Sequence, residues 1–342
     1  MIGAASSIHP ARLFAVNNVI DVRTPVTFTN RAGLKLFGIL HEPAEKAATD
    51  LAMILLSPGV KMRVGPGRLY LRLTELLLQL GIPVLRFDCH GLGDSEGTLP
   101  EEQLRDVYGQ IEVGRFVDDT LDAMSWMQQR VGSKRFILSG LCGGAITGLL
   151  AGARDRRVAG LLALGITPLI ASKNADPSRY MTAGQLDDIG RTYLQKLLKP
   201  KAWLRLLTFQ TDFGLLWRAV SRRLRATQTD VRQAPTADVR ADDNASPLFP
   251  PAFFHLLQAR QPMLLIFGGT DRLGFEFEEK FVARHRQRLQ PLACGYQAHT
   301  IEYANHVLSF GEWQDEMIEV SAAWLDRHFG ADLQRQPIPS ES

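Results

Sequence analysis

The sequence predicts an α/β fold: a mostly parallel central sheet, helices on both faces, and a helical cap inserted into the chain. Three observations carry this. The runs "LAMILLSPG" (51–59), "RFILSG" (135–140), "VAGLLALGI" (158–166) and "PMLLIFGGTD" (262–271) are apolar without alternation, as strands buried on both faces are. Segments with helical spacing separate these runs, which is the signature of parallel strands joined by crossovers. The alternation stops at 168 and resumes near 259.

Taken in order, "TPVTFTN" (24–30) and "LKLFGILHEP" (34–43) are β-rich runs joined through Gly33, which reads as a hairpin. The strand at 51–59 ends in Pro-Gly and leads into "GRLYLRLTELLLQLG" (67–81), a helix closed by glycine. "IPVLRFD" (82–88) is a strand and "EVGRFVDDTLDAMSWMQQRV" (112–131) an amphipathic helix. After the strand at 135–140, "GAITGLLAGA" (144–153) is a helix of small residues. The last third contains the strand at 262–271, a helix near 276–288, a strand in "AHTIEYANH" (298–306) and a helix at 312–329. Residues 1–167 and 259–330 are thus expected to form the core, 168–258 the cap, and 331–342 a flexible tail. Within the cap, the polar stretch 228–247 is expected to be the loosest part. No internal repeat is evident.

Composition narrows the function. The chain has 342 residues, 45% of them hydrophobic, enough to bury the core of one large domain. A net charge of +3 is too small to argue for nucleic acid. Cys89, Cys142 and Cys294 neither form a disulfide framework nor show metal spacing, which fits a reducing, cytoplasmic setting with no metal or other cofactor. No signal peptide is recognisable at the N-terminus, and no apolar run reaches the ~20 residues of a membrane span.

The chemistry concentrates at "LSGLCGGAI" (138–146), where a strand runs straight into a helix through Gly140-Leu141-Cys142-Gly143-Gly144. A Gly-x-nucleophile-x-Gly turn lifts the central side chain to the carboxyl edge of the sheet, where open α/β folds bind ligands. Helix N–H groups and the positive helix end favour a thiolate there. The bland alternative is a small core cysteine in an ordinary strand–helix turn. Downstream, "FGGTDRLG" places Asp271 after a buried strand and "YANHVLSFGEW" places His306 after the last one. Nucleophile, acid and histidine in that order, each at a strand end, point to a catalytic triad. His299 lies inside the preceding strand and is the poorer candidate, while Asp118 and Asp119 are expected to cap or pair locally. The oxyanion hole is expected from the backbone N–H groups of Gly143 and Val60, with Lys61 as the fallback.

These motifs resemble the α/β-hydrolase superfamily, with "MRVGPGRLY", "RFDCHGLGDSEG", "GRFVDDTLDAMSWM", "GLCGGA" and "NHVLSFGEW" carrying the resemblance over about 22–170 and 262–329. Within it the chain looks like the exosortase A system-associated hydrolases, although Gly143 stands where that subgroup has an acidic residue. Dienelactone hydrolases also use Gly-x-Cys-x-Gly on this fold, as do cysteine enzymes that off-load or cyclise carrier-bound acyl chains. The resemblance implies attack of Cys142 on an acyl carbonyl, with His306 as base and then acid. The resulting thioester resists water and reacts readily with amine, thiol and carbon nucleophiles. Hydrolysis of an ester or thioester, acyl transfer or cyclisation, and a silent binding scaffold are the readings carried forward.

Two weaker features concern partners. Lys61, Arg63 and Arg68 cluster where the first loop meets its helix and are candidates to hold a substrate carboxylate or phosphate, or simply a solvated basic loop. Residues 196–225 carry eight basic side chains, among them Arg222 and Arg223, against the single acid Asp212. Such a face would attract an acidic acyl carrier protein or anionic lipid, and would otherwise be a solvated helix. Cys89 is expected as a loop thiol beside the site and Cys294 as a distal one.

Overall fold

The computed structural model describes residues 22–44, 49–172 and 244–333. Eight strands form one sheet in the order β1-β2-β4-β3-β5-β6-β7-β8. They are β1 (Val22–Thr29), β2 (Lys35–Glu42), β3 (Leu51–Leu56), β4 (Val84–Phe87), β5 (Arg135–Leu141), β6 (Val158–Leu164), β7 (Met263–Gly268) and β8 (Tyr296–Ile301). β1 and β2 form an antiparallel hairpin, β2 pairs antiparallel with β4, and the other neighbours are parallel.

The apolar runs are continuous because successive side chains of a strand serve opposite faces of the sheet. In β3, Ala52, Ile54 and Leu56 enter one cluster, whereas Leu51, Met53 and Leu55 enter the other. The second face is covered by α1 (Leu69–Gln79) and the long C-terminal helix α8 (Gly311–Leu333). The first is covered by α2 (Leu104–Glu112), α3 (Val117–Val131), α4 (Gly143–Gly152), α5 (Phe249–Gln258), and α6 (Arg272–Phe277), which continues through a π-turn at Glu278–Val282 into α7 (Ala283–Leu289). A group of aromatic rings joins α5 to the π-turn: Phe249 and Phe253 lie 4.9 and 4.8 Å from Phe281, ring centre to ring centre.

Two departures from the sequence reading bear on the site. The helix expected over 112–131 begins only at Val117, after a break at Gly114 (φ 111°), and a separate helix, α2, precedes the break. The expected cap, 168–258, includes α5, which packs on α4 as part of the core layer. The ends of the insertion are tied together beside the sheet: Leu169 bridges Ala245, and Ile170 N–H donates to Asn244 O at 2.8 Å. The basic face at 196–225 and most of the tail lie outside the described residues.

Candidate active site

Cys142 stands between β5 and α4 with φ 56° and ψ −114°, a conformation that costs a non-glycine residue free energy and persists only where the surroundings impose it. They do so from three sides. Cys142 N–H donates to Leu164 O of β6 at 2.8 Å. Leu141 N–H donates to the buried Tyr70 hydroxyl at 2.8 Å, and that hydroxyl donates to Leu56 O of β3 at 2.7 Å. The turn itself closes only on glycines: a Cβ on Gly140 would lie 2.5 Å from Gly144 C, and one on Gly144 2.7 Å from Leu56 O.

Asp271 and His306 arrive from the neighbouring strand ends. Asp271 caps α6, accepting Leu273 N–H on Oδ1 at 3.4 Å, while its Oδ2 pairs with His306 Nδ1 at 2.6 Å. The loop of the acid is tied to that of the histidine, since Thr270 donates to Ala304 O through N–H at 3.0 Å and through its hydroxyl at 2.9 Å. His306 also lies within interaction range of the Cys142 sulfur. The imidazole pKa is pushed up to about 10, first by the bond to Asp271 and then by Cys142, against a smaller opposing effect of burial. The ring lies on Gly165, just past β6 at φ +55°, where a Cβ would come 3.0 Å from His306 Cε1 and 3.1 Å from Nδ1. Cys142, His306 and Asp271 thus meet at the turn, with His306 hydrogen-bonded to Asp271 and set beside Cys142. His299 is elsewhere, its Nε2 paired with Glu316 of α8 at 2.7 Å.

The two loops that hold the expected oxyanion donors lie side by side. Gly143 is the first residue of α4, so its N–H has no acceptor within the helix. A Cβ on Gly143 would lie 3.0 Å from Gly59 Cα, and Val60 follows Gly59. Among the described residues the Val60 N–H has no acceptor, whereas Lys61 N–H is spent on Pro58 O at 3.1 Å, which removes the fallback.

The basic trio does not survive as a group. Arg63 is anchored to the loop after β4: its N–H donates to the fully buried Asp88 at 2.7 Å, its guanidinium pairs with Asp88, and its other end reaches Asp94 at 2.7 Å. It also stacks over Phe37 at 4.4 Å. Lys61 and Arg68 are exposed. Cys89 is a buried core thiol whose pKa burial pushes well up, and Cys294 is exposed. Asp118 and Asp119 pair far from their own helix: Asp119 accepts from Asn30 at 2.7 Å and holds His90 Nδ1 at 2.7 Å, and Asp118 meets Arg31 and Arg154.

Sequence reasoning missed four neighbours of the site. They are Tyr70 under the turn, Gly165 under the imidazole, and Tyr108 and Ile111 on α2. Glu112, at the end of α2, is a fifth group of interest. Burial pushes its carboxyl pKa up to about 7, with Glu276 adding to the shift, while a hydrogen bond from Ala171 N–H opposes it.

A parallel sheet extended by an antiparallel hairpin, with a strained strand–helix turn at its carboxyl edge and an Asp–His pair reaching that turn, defines an α/β hydrolase. The alpha/beta hydrolase family model matches residues 54–320, and the chain belongs to that family. A curated relative, the polyketide transferase grgF of a Penicillium species, is 29% identical over 159 residues, covering 46% of this chain and 48% of that protein. The chain thus spans about half the length of the curated relative it matches. Among solved structures, the Pyrococcus furiosus esterase Pf2001 superposes with a TM-score of 0.53 at 17% identity, over 96% of this chain and 97% of that one. A dienelactone hydrolase from Anabaena variabilis gives 0.50 at 14% identity, over 90% and 98%. At these identities the likeness is one of fold. Among the described residues no helix is long and apolar enough to cross a membrane, and no group of three or more His, Cys, Asp or Glu side chains could hold a metal ion.

Proposed function

We propose that Cys142, His306 and Asp271 are nucleophile, general base and orienting acid of an enzyme that works on acyl esters or thioesters through an acyl-cysteine intermediate. The observation that carries this reading is the Asp271–His306 hydrogen bond set beside Cys142 on a strained turn. The thiolate attacks the acyl carbonyl, and the oxyanion forms at the N–H groups of Gly143 and Val60. Collapse expels the leaving thiolate or alkoxide, which takes a proton from the imidazolium. An acceptor then attacks the thioester, giving its proton to His306, and Cys142 leaves as thiolate. Asp271 holds the ring in the tautomer and orientation that both steps need.

A thioester intermediate favours an acceptor other than water, and a relative bears the name of a polyketide transferase. The reading therefore takes a carrier-bound or small acyl thioester as donor and acyl transfer or cyclisation as outcome. Docking of an acyl carrier on the basic segment 196–225 belongs to the same proposal. Hydrolysis is the second outcome of the same chemistry.

The test is incubation with a small acyl thioester, with and without an amine acceptor, followed by intact-mass analysis. An acyl adduct should form on the wild type and be absent from Cys142→Ala, and the amine should speed turnover and appear in the product. Turnover by Cys142→Ala at the wild-type rate would refute the nucleophile. Free acid alone, whatever the acceptor, would assign hydrolysis.

A further inference from the structure

α2 lies over the seam between the two loops that carry the proposed oxyanion donors. A Cβ on Gly143 would meet Ile111 Cγ2 at 2.9 Å as well as Gly59 Cα. A Cβ on Gly59 would lie 2.6 Å from Tyr108 Cε1 and 3.3 Å from the Tyr108 hydroxyl. The phenol therefore rests directly on Gly59, one residue before Val60, and Gly59 rests on Gly143. Tyr108 is half-buried, and among the described residues its hydroxyl has no hydrogen-bond partner. Burial, then the charges of the Cys142 thiolate and of Glu112, push its pKa up. The phenol is thus a proton donor throughout the working range, and it lies within electrostatic reach of the sulfur.

We propose that Tyr108 is a further catalytic residue: its hydroxyl donates a third hydrogen bond, beside those of Gly143 and Val60, to the carbonyl oxygen of the acyl group on Cys142. This rests on Cys142 being the nucleophile. Several features fit a donor better than a packing residue. The ring is placed by a helix rather than by the oxyanion loop. Its polar end has no protein partner among the described residues and so is free to meet a substrate. It also rests on the loop proposed to receive negative charge during attack, where a fixed donor would lower the barrier.

The experiment compares wild type, Tyr108→Phe, Tyr108→Ala and Cys142→Ala in single-turnover acylation by acetyl- and hexanoyl-N-acetylcysteamine, with adducts followed by intact mass. Tyr108→Phe keeps the ring on Gly59 and loses only the hydroxyl, and its melting temperature should stay near that of the wild type. The acylation rate should fall by about a hundredfold, the typical cost of one oxyanion donor. KM should be little changed, and the ratio to wild type should be constant between about pH 6 and 9, where the phenol stays protonated in both the resting and acylated enzyme. Tyr108→Ala should be no faster than Tyr108→Phe. Full acylation rate in Tyr108→Phe, with the wild type and Cys142→Ala behaving as expected, would overturn this proposal alone and leave Cys142 standing. Absence of an adduct on the wild type would overturn both.

Discussion

Replacing Gly165 by alanine should damage the imidazole's position more than it damages the fold. The residue sits at φ +55° just past β6, where a side chain costs about 1–2 kcal/mol in backbone strain. The new methyl would lie 3.0 Å from His306 Cε1 and 3.1 Å from Nδ1, whereas ordinary contact begins near 3.4 Å. The ring must therefore give by roughly 0.4 Å or more, while Nδ1 is held at 2.6 Å by Asp271. A misplacement of about 1 Å costs on the order of a hundredfold in rate, so kcat/KM should fall about ten- to a hundredfold. Gly132 provides the control. It too has positive φ (+75°), but a Cβ there meets nothing within 4 Å. Gly132→Ala should lower the melting temperature by a similar few degrees and leave turnover unchanged. The assay is thioester cleavage followed by ultraviolet absorbance, with thermal melts on the same samples. A Gly165→Ala enzyme that loses stability like Gly132→Ala but turns over at the wild-type rate would refute the reasoning, because His306 would then not be the working base.

Two further outcomes follow from the charges at the site. His306 has its pKa raised in the folded protein to about 10, above the unfolded value. Its pairing should therefore stabilise the fold fully below about pH 6.5, and that stability should fade as pH rises through 10. Melting temperatures of wild type and His306→Gln should converge over that window, and a gap that widened with pH would contradict the pairing. Glu112 has its carboxyl pKa raised to about 7 by burial. The neutral form is the stable one, so its contribution is present below about pH 4.5 and lost as pH rises through 7. Glu112→Gln, whose amide oxygen can still accept from Ala171 N–H, should melt above wild type at pH 8 and close to it at pH 5. An unchanged difference between the two pH values would show that the carboxyl is not held this way.

The strands of the core were legible because both faces of the sheet are buried, which makes β3, β5, β6 and β7 uninterrupted apolar runs. The places of Cys142 and Asp271 were legible because each follows such a run, and that of His306 because it stands between the last strand and the last helix. What escaped the sequence depends on contacts between distant segments. α2, "LRDVYGQIE", reads as a polar stretch, yet Val107 and Ile111 are buried against the core. Gly114 was read as an interior helix position because the apolar spacing continues across it. Arg63 looked like a free cation until folding brought Asp88, 25 residues away, to its guanidinium. Tyr108 and Gly165 carried no local signal, because their partners are fixed only by how α2 and the end of β6 meet the strand ends.

The Tyr70 hydroxyl has a consequence for how the site comes apart. By joining Leu56 O to Leu141 N–H, it ties the strand that leads into the proposed oxyanion loop to the turn that carries the proposed nucleophile. These belong to β3 and β5, adjacent strands at the centre of the sheet. The histidine and its acid hang instead from β8 and β7, at the sheet's margin, and β8 has a neighbour on one side only. Under the proposed roles, the attacking atom and the charge receptor therefore belong to the centre of the sheet and the proton carrier to its margin. On warming, fraying begins where fewest strands hold. The relay of protons should thus be lost while the cradle for the acyl group is still intact, leaving a warmed protein that holds its substrate in place and no longer turns it over.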